Sequence, residues 1–368
     1  MLQVLLASPM PPPYGGITNW TNIILDQLKR DNTIQVLPVD ISLKKSSNER
    51  SVIGDTKTQL KIWHRARVIL TEARHSTGCH SVLHICTSGG KGLIRDIVLI
   101  RLARRRGIPS IIHFHYGRVP DTIDSHSLEG CLLRSSLSQV SACVAMDRKT
   151  LEALNAKGFK DKTYLIPNPI SREITRPIDG QRNNNQFVFV GHVEKLKGIE
   201  DLLSAWESLE PEGLGSQDVQ LKIIGPINAE YRKQLESRYL LNRVIFLGSM
   251  NHSDVLKEVS RSRCLVLPSY TEGFPNVILE AFALEVPVVA SSVGAIPEML
   301  SGNSGILIHP GDIAGLTNAI SSILTGGVDL DQVVRNARQK IDSKYSADVV
   351  KKELVNCWMQ TSAKTAGV

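Results

Sequence analysis

Two glutamates pose the first chemical question. In the stretch SYTEGFPNVILEAF (269–282), Glu272 and Glu280 interrupt a largely apolar run. Ionised carboxylates are rarely buried without a partner, so these acids face either solvent or a ligand that needs them. A carboxylate pair can serve as nucleophile and acid in glycoside cleavage, or it can accept hydrogen bonds from vicinal hydroxyls such as those of a ribose. Pro275 suits the first turn of a helix that runs on through NVILEAFAL (276–284), where a missing N–H costs nothing. Phe274 then falls near the N-cap, and Phe cannot cap. A helix start with no side-chain cap is an anion site, so a phosphate or a sugar hydroxyl is expected there. Glu272 precedes the helix in its loop, and Glu280 lies a little over one turn inside. Simple solvation of both acids is the plain alternative, but it leaves the uncapped start unexplained.

The elements that must hold this stretch are strands alternating with helices. VLLA (4–7), VLHI (82–85), SIIHFH (110–115) and SACVAM (141–146) read as buried strands. The series resumes with FVFVG (187–191), LKIIG (221–225), VIFLG (244–248), CLVLPS (264–269), VPVVAS (286–291) and GILI (305–308). Segments of helical period lie between them, as in Ile17, Trp20, Ile24 and Leu28. Such alternation implies parallel sheets with helices on both faces. The polar, aperiodic segment 170–186 reads as a linker between two halves. Two α/β, doubly wound, Rossmann-like domains are therefore expected to face a cleft at the carboxyl ends of their strands. Glycine recurs at those ends, at Gly15-Gly16, Gly191, Gly198, Gly225, Gly248 and Gly273. Each can be a plain turn, or a place where backbone amides approach a ligand. No G-x-G-x-x-G follows a strand and no P-loop motif occurs, which disfavours dehydrogenases and P-loop enzymes.

Bulk properties narrow the partners. The 368 residues are 42% hydrophobic and 21% charged, ordinary values for a globular protein. No run of eighteen apolar residues exists, and the amino-terminal stretch has no basic n-region, so neither a transmembrane helix nor a signal peptide is expected. The six cysteines form no C-x-x-C pair, which suggests neither zinc nor disulfides and fits a reducing cytoplasm. The net charge is +7, yet residues 1–170 alone carry 23 Lys and Arg against 13 Asp and Glu. RLARRRG (101–107) is the densest cluster, and Arg101, Arg104, Arg105 and Arg106 suit an anionic partner or a merely solvated helix end. With 5% aromatics and no stacking or zinc-finger pattern, nucleic acid is not expected.

The stretch PSYTEGFPNVILEAFALEVPVVASSVGAIPEML (268–300) resembles the signature of retaining glycosyltransferases of family 4, with Glu272 and Glu280 as its paired glutamates. The likeness covers nearly the whole chain. PPPYGGI (11–17) resembles the family's Gly-Gly loop, HFHYG (113–117) its histidine segment, LIPNPI (165–170) the hinge entry, and GHVEKLKG (191–198) the donor-phosphate loop. YSADVVKKELVNCWMQ (345–360) resembles the helix that crosses back to the first domain. The resemblance implies a GT-B fold with an acceptor-side domain over 1–170 and a donor-binding domain over 171–344. It also implies that Glu280 holds the ribose hydroxyls. Glu272 and the backbone of Gly273, Phe274, Pro275 and Asn276 meet the donor sugar, although Pro275 has no amide hydrogen. Lys197 neutralises the diphosphate, Gly15 and Gly16 approach the donor phosphates, and His115 serves the sugar or the acceptor. His113 is expected to turn to the opposite face of its strand, in a structural place. One position departs from the pattern: His192 stands where an arginine is usual, and an imidazole grips phosphate less fully than a guanidinium.

The implied activity is transfer of a hexosyl group from a nucleotide-sugar donor to a glycan or a lipid-diphosphate-linked glycan, with retention, in surface-polysaccharide or O-antigen-type synthesis. The work is electrostatic: the leaving diphosphate must be held and the acceptor placed. No cofactor and no metal are expected, and Asp329-Leu330-Asp331 stands away from the phosphate motifs. The arginine cluster is expected to touch anionic membrane, which makes the protein cytoplasmic with peripheral attachment to the inner face. Two other readings keep the same fold: a sugar-nucleotide epimerase, which needs no acceptor, and a non-catalytic sugar-nucleotide-binding subunit.

Overall fold

The computed structural model describes residues 1–12, 15–29, 31–42, 63–64, 80–174, 183–209 and 219–363. The middle of the expected linker (175–182), Pro13 and Tyr14 of the Gly-Gly loop, and Cys79 lie outside the described residues. The chain divides into two compact units, Met1–Pro169 with Ala347–Val368, and Ile170–Ser346.

The first unit opens with β1 (Leu2–Ser8), α1 (Gly16–Leu28), β2 (Ile34–Asp40) and β3 (His80–Thr87). It continues with α2 (Gly92–Arg104), β4 (Ser110–Phe114), α3 (Val119–Ile123), α4 (Leu128–Leu137), β5 (Ala142–Ala145), α5 (Arg148–Leu154) and β6 (Thr163–Leu165). The second unit runs β7 (Asn183–Val190), α6 (Ile199–Ser208), β8 (Gln220–Ile224), α7 (Ala229–Arg238), β9 (Val244–Gly248), α8 (His252–Arg261) and β10 (Ser262–Leu267). It ends with α9 (Asn276–Ala283), β11 (Val288–Ser291), α10 (Ile296–Leu300), β12 (Ile306–Ile308), α11 (Ile313–Leu324) and α12 (Leu330–Lys340). Helix α13 (Ala347–Ala363) then returns to the first unit.

Both sheets have six strands, in the orders β2-β1-β3-β4-β5-β6 and β12-β11-β10-β7-β8-β9. All pairings are parallel. A parallel sheet needs cover on both faces, and β1 shows how the sequence supplies it. Leu5 and Ala7 enter one apolar core, while Leu2, Val4 and Leu6 enter the other. The second core takes Trp20, Ile24 and Leu28 from α1, at the expected helical spacing, and Val350, Leu354, Cys357 and Trp358 from α13.

Three elements depart from the sequence expectation. Strand β2 contains Pro38, which argues against a strand, but β2 is the sheet's edge, where a missing N–H breaks no ladder. The short β6 is the opposite edge and carried no apolar run long enough to read. Strand β7 begins at Asn183, so the polar NNNQ lies in the sheet rather than in the linker. There the buried Gln186 amide donates to Ser262 Oγ at 2.8 Å and to the Glu258 carbonyl at 3.2 Å. Among the described residues no helix is long and apolar enough to cross a membrane.

Trp206 on α6 is 1% exposed and packs edge-on to Phe187 of β7. Trp206→Ala should destabilise by about 3–5 kcal/mol, read as a lower urea midpoint. Leu240→Ala, at a residue 64% exposed, should shift stability by less than about 0.5 kcal/mol.

Candidate active site

The strand order places the chemistry of the second unit. The order reverses between β7 and β10, and ligands of open parallel sheets bind at the carboxyl ends beside such a reversal. The loop after β7 carries His192 and a single turn at Lys195–Lys197, and the loop after β10 carries Ser269 and Glu272. Backbone ties the two loops together, with Tyr270 N–H donating to the Leu196 carbonyl at 2.9 Å. Glycine permits the close approach. Gly198 has φ +70°, and a Cβ there would stand 1.9 Å from the Pro268 carbonyl oxygen. A Cβ on Gly294 (φ +53°) would meet the Glu272 carbonyl oxygen at 2.2 Å.

Across this junction Lys197 Nζ donates to Glu272 Oε1 at 2.8 Å, and Ser269 Oγ donates to the same oxygen at 2.8 Å. The Glu272 side chain is 12% exposed and that of Lys197 is 22%. Glu272 is thus neither free nor simply solvated. Lys197, assigned by resemblance to the diphosphate alone, has a carboxylate partner within its own unit. Sequence gave no sign of Ser269 as a third member.

Helix α9 starts later than expected. Pro275 has ψ 112°, outside the helical region, so it is the N-cap and Asn276 is the first helical residue. The functional point is unaffected, since no side chain caps this end. Phe274 is buried edge-on to Tyr345, and the Gly273 carbonyl accepts from Ala295 N–H, so this loop is braced from behind. One turn on, Glu280 is buried, and His252 Nε2 lies 2.9 Å from its Oε1. The hydrogen bond that His252 donates to the Glu280 carboxylate raises the His252 pKa above the ordinary imidazole value, against the opposing effect of burial. His252 was missed because it lies on a different helix, 28 residues before its partner, with no local pattern to mark it. His192 is exposed on its loop. The Asp329 side chain caps α12 by accepting from Gln332 N–H, which accounts for the D-x-D aspartate structurally.

In the first unit, Gly15 and Gly16 are exposed at the start of α1. Gly15 is extended (φ −174°) and open space surrounds its Cβ position, so neither backbone nor packing demands glycine there. His115 lies just beyond the carboxyl end of β4, half-buried against Trp20 and His113. The expectation that His113 faces away is overturned, because the two imidazole centroids lie 4.0 Å apart. Residues two apart in an extended chain share a face. A third histidine, His84 on β3, completes the group, with its Nε2 3.3 Å from His113 Nδ1. Burial holds all three neutral: it lowers His84 and His115 to about 3 and His113 well below the ordinary imidazole range.

His84, Cys86 and His113 bring possible metal-ligand atoms within 4.8 Å of one another. Their protons do not suit an ion. Trp358 Nε1–H donates to His84 Nδ1 at 3.0 Å, which leaves the His84 proton on Nε2, the atom that would have to bind. In the metal-free protein burial pushes the Cys86 thiol up to about 12.

Known proteins resemble this chain in sequence and in fold. Residues 171–340 match the family Glycosyl transferases group 1. The capsular polysaccharide biosynthesis glycosyltransferase CapM of Staphylococcus aureus is 30% identical over 178 residues, 46% of this chain and 45% of CapM. The O-antigen chain mannosyltransferase C of Escherichia coli is 27% identical over 214 residues, 55% of this chain and 56% of that protein. The chain spans about half the length of the curated relatives that it matches first. Among solved structures, Anabaena HepE in complex with UDP superposes with TM-score 0.71 at 17% identity, covering 98% of this chain and 100% of HepE. Sucrose-phosphate synthase from Thermosynechococcus elongatus gives 0.75 at 18% identity, covering 99% and 100%. These are likenesses of fold, and the fold is GT-B, with two Rossmann-like units. The group 1 match contains Lys197, His252, Glu272 and Glu280 together.

The arginine cluster closes α2. Arg101, Arg104 and Arg105 are exposed, Arg101 Nε donates to Gln139 Oε1, and Arg106 donates to the Leu102 carbonyl.

The raised His252 pKa fixes the sign of a pH effect. A proton held more tightly in the folded state contributes stability fully below the ordinary value of 6.5, and that contribution fades as pH rises through the raised one. The melting-temperature gap between wild type and His252→Ala should therefore be wider at about pH 5.5 than at about pH 8.5. Equal gaps at both would show that the pair does not couple protonation to folding.

Proposed function

We propose that this chain is a glycosyltransferase that takes a glycosyl group from a nucleotide-sugar donor held by its second unit. The observation that carries the reading is the Lys197–Glu272 pair. It sits at the strand-order reversal between β7 and β10, beside a helix that starts without a side-chain cap. The group 1 match and the UDP and UDP-glucose complexes of the HepE structures support it.

Glycosyl transfer places negative charge on the departing diphosphate and positive charge on the sugar. Lys197 and the amino-terminal end of α9 counter the first charge. Glu272, oriented by Lys197 and Ser269, accepts from donor-sugar hydroxyls. Glu280, oriented by His252, accepts from the ribose hydroxyls. His192 gives the phosphates a single hydrogen bond where a guanidinium would give two. In this reading His115 serves the sugar or the acceptor, and the backbone at Gly15 and Gly16 serves phosphate, which gives glycine a reason at a position where local structure supplies none. Charge neutralisation by Lys197 leaves no step that calls for a metal. Retention, a hexosyl donor and a glycan or lipid-diphosphate-linked glycan acceptor in surface-polysaccharide assembly complete the proposal, in keeping with the capsule and O-antigen relatives.

A thermal-shift panel of UDP, GDP, ADP and TDP sugars, with EDTA throughout, tests the donor site. One nucleotide class should stabilise the wild type, by about 2.7 kcal/mol at a hundred times its Kd. Glu280→Ala should lose that shift, and Lys197→Ala should lower kcat by about 10²–10³, the usual loss for one transition-state donor. Absence of any shift at millimolar ligand would overturn the reading.

The exposed arginines extend the proposal to anionic membrane. Charge reversal of Arg101, Arg104, Arg105 and Arg106 should remove flotation with anionic vesicles, since each basic residue near such a surface contributes about 1 kcal/mol. Equal flotation of wild type and variant would remove the membrane from the proposal.

A further inference from the structure

The first unit buries a polar chain that the proposed reaction has not yet used. It begins on α13, passes through β3 and ends on β4. Trp358 Nε1 lies 3.0 Å from His84 Nδ1, and His84 Nε2 lies 3.3 Å from His113 Nδ1. Both contacts are buried.

The direction of every hydrogen bond follows from the first. An indole nitrogen only donates. His84 Nδ1 must therefore accept, and the proton of this neutral ring sits on Nε2. That N–H donates to His113 Nδ1, which leaves the His113 proton on Nε2. Reversal at any link would set two N–H groups against each other. Trp20 clamps the group, stacked on His84 at 5.7 Å and edge-on to both His113 and His115 at 5.1 Å. His113 Nε2, His115 Nε2 and Trp20 Nε1 have no hydrogen-bond partner among the described residues, although all three are buried. Unpaired buried polar atoms are unfavourable, so their collection near one end of β4 asks for a reason.

We propose that Trp358 and His84 are positioning residues. They lock His113 as its Nε2–H tautomer and thereby fix the ring on which His115 rests. The His113 and His115 rings are 4.0 Å apart between centroids and tilted by 39°, so a change of tautomer or rotamer at His113 is felt at His115. The functional half of this proposal rests on the glycosyl-transfer reading above; the tautomer half does not.

The two halves are tested separately on the full chain. With ¹⁵N-labelled histidine, two-bond proton–nitrogen correlations report which ring nitrogen carries the proton, and assignments come from peaks lost in single histidine variants. The wild type should show Nε2–H for both His84 and His113. Trp358→Phe keeps an aromatic body but has no N–H, and it should release both rings into mixed tautomers. His84→Gln supplies an amide oxygen for Trp358 and an amide N–H for His113, so it should keep the His113 tautomer, whereas His84→Leu should free it. In transfer assays the variants that free His113 should lose kcat about tenfold, with donor KM little changed, a split that a general loss of packing would not produce. A wild-type spectrum with either ring protonated on Nδ1 overturns the proposal, even if Trp358→Phe fails to fold. So does a His113 tautomer indifferent to both Trp358→Phe and His84→Leu. Normal kcat in variants with freed tautomers overturns the positioning role. No transfer by wild type under any donor would instead count against the glycosyltransferase reading, with the tautomer result standing by itself.

Discussion

A parallel sheet covered by helices on both faces leaves polar groups few places to stand. In each unit the central strands are largely apolar above and below, so water and ligands meet them chiefly at their ends. That constraint orders the second unit. The loops leaving β7 and β10 meet at the carboxyl edge, and the polar residues gather there: His192 and Lys197 on one loop, Ser269 and Glu272 on the other. Glu280 is buried on α9 and is tolerated because His252 meets it. The carboxylates are held in advance by neighbours from other elements, so their orientation does not wait for a ligand.

The first unit breaks the same constraint and shows what the breach requires. His84 and His113 sit within the strands, fully buried. They remain compatible with an apolar core because they are neutral and because each contact between them has a donor and an acceptor in the right order. The indole of Trp358 begins that order. A carboxylate in its place would have invited a proton onto the histidines and a charge into the core.

Much of this was legible in the sequence, for physical reasons. Buried strands announce themselves as short apolar runs, and ten of the twelve among the described residues are legible in this way. The two missed were edges: β2 carries Pro38, which only an edge tolerates, and β6 is three residues long. Glu272 and Glu280 stood out because charge inside apolar sequence is conspicuous. Their partners did not. Ser269 and His252 are polar residues in ordinary settings, and only the fold brings them to the carboxylates. The helix start was placed one residue early because Pro275 suits both the first turn and the cap, and ψ alone separates the two. His113 was misassigned by a parity error, since residues i and i+2 of a strand share a face.

Helix α13 has a consequence for how the chain is made. It lies after the whole second unit in sequence, yet it supplies Val350, Leu354, Cys357 and Trp358 to the core that also holds Trp20 and Ile24. Domains usually fold in the order of synthesis. Here the first strands and helices leave the ribosome with one face of their sheet covered by α1 but not by α13, and with His84 lacking its indole donor, until some 180 further residues have followed. The first unit begins first and is finished last, and throughout that interval the apolar surface that α13 will cover is open to chaperones or to wrong partners.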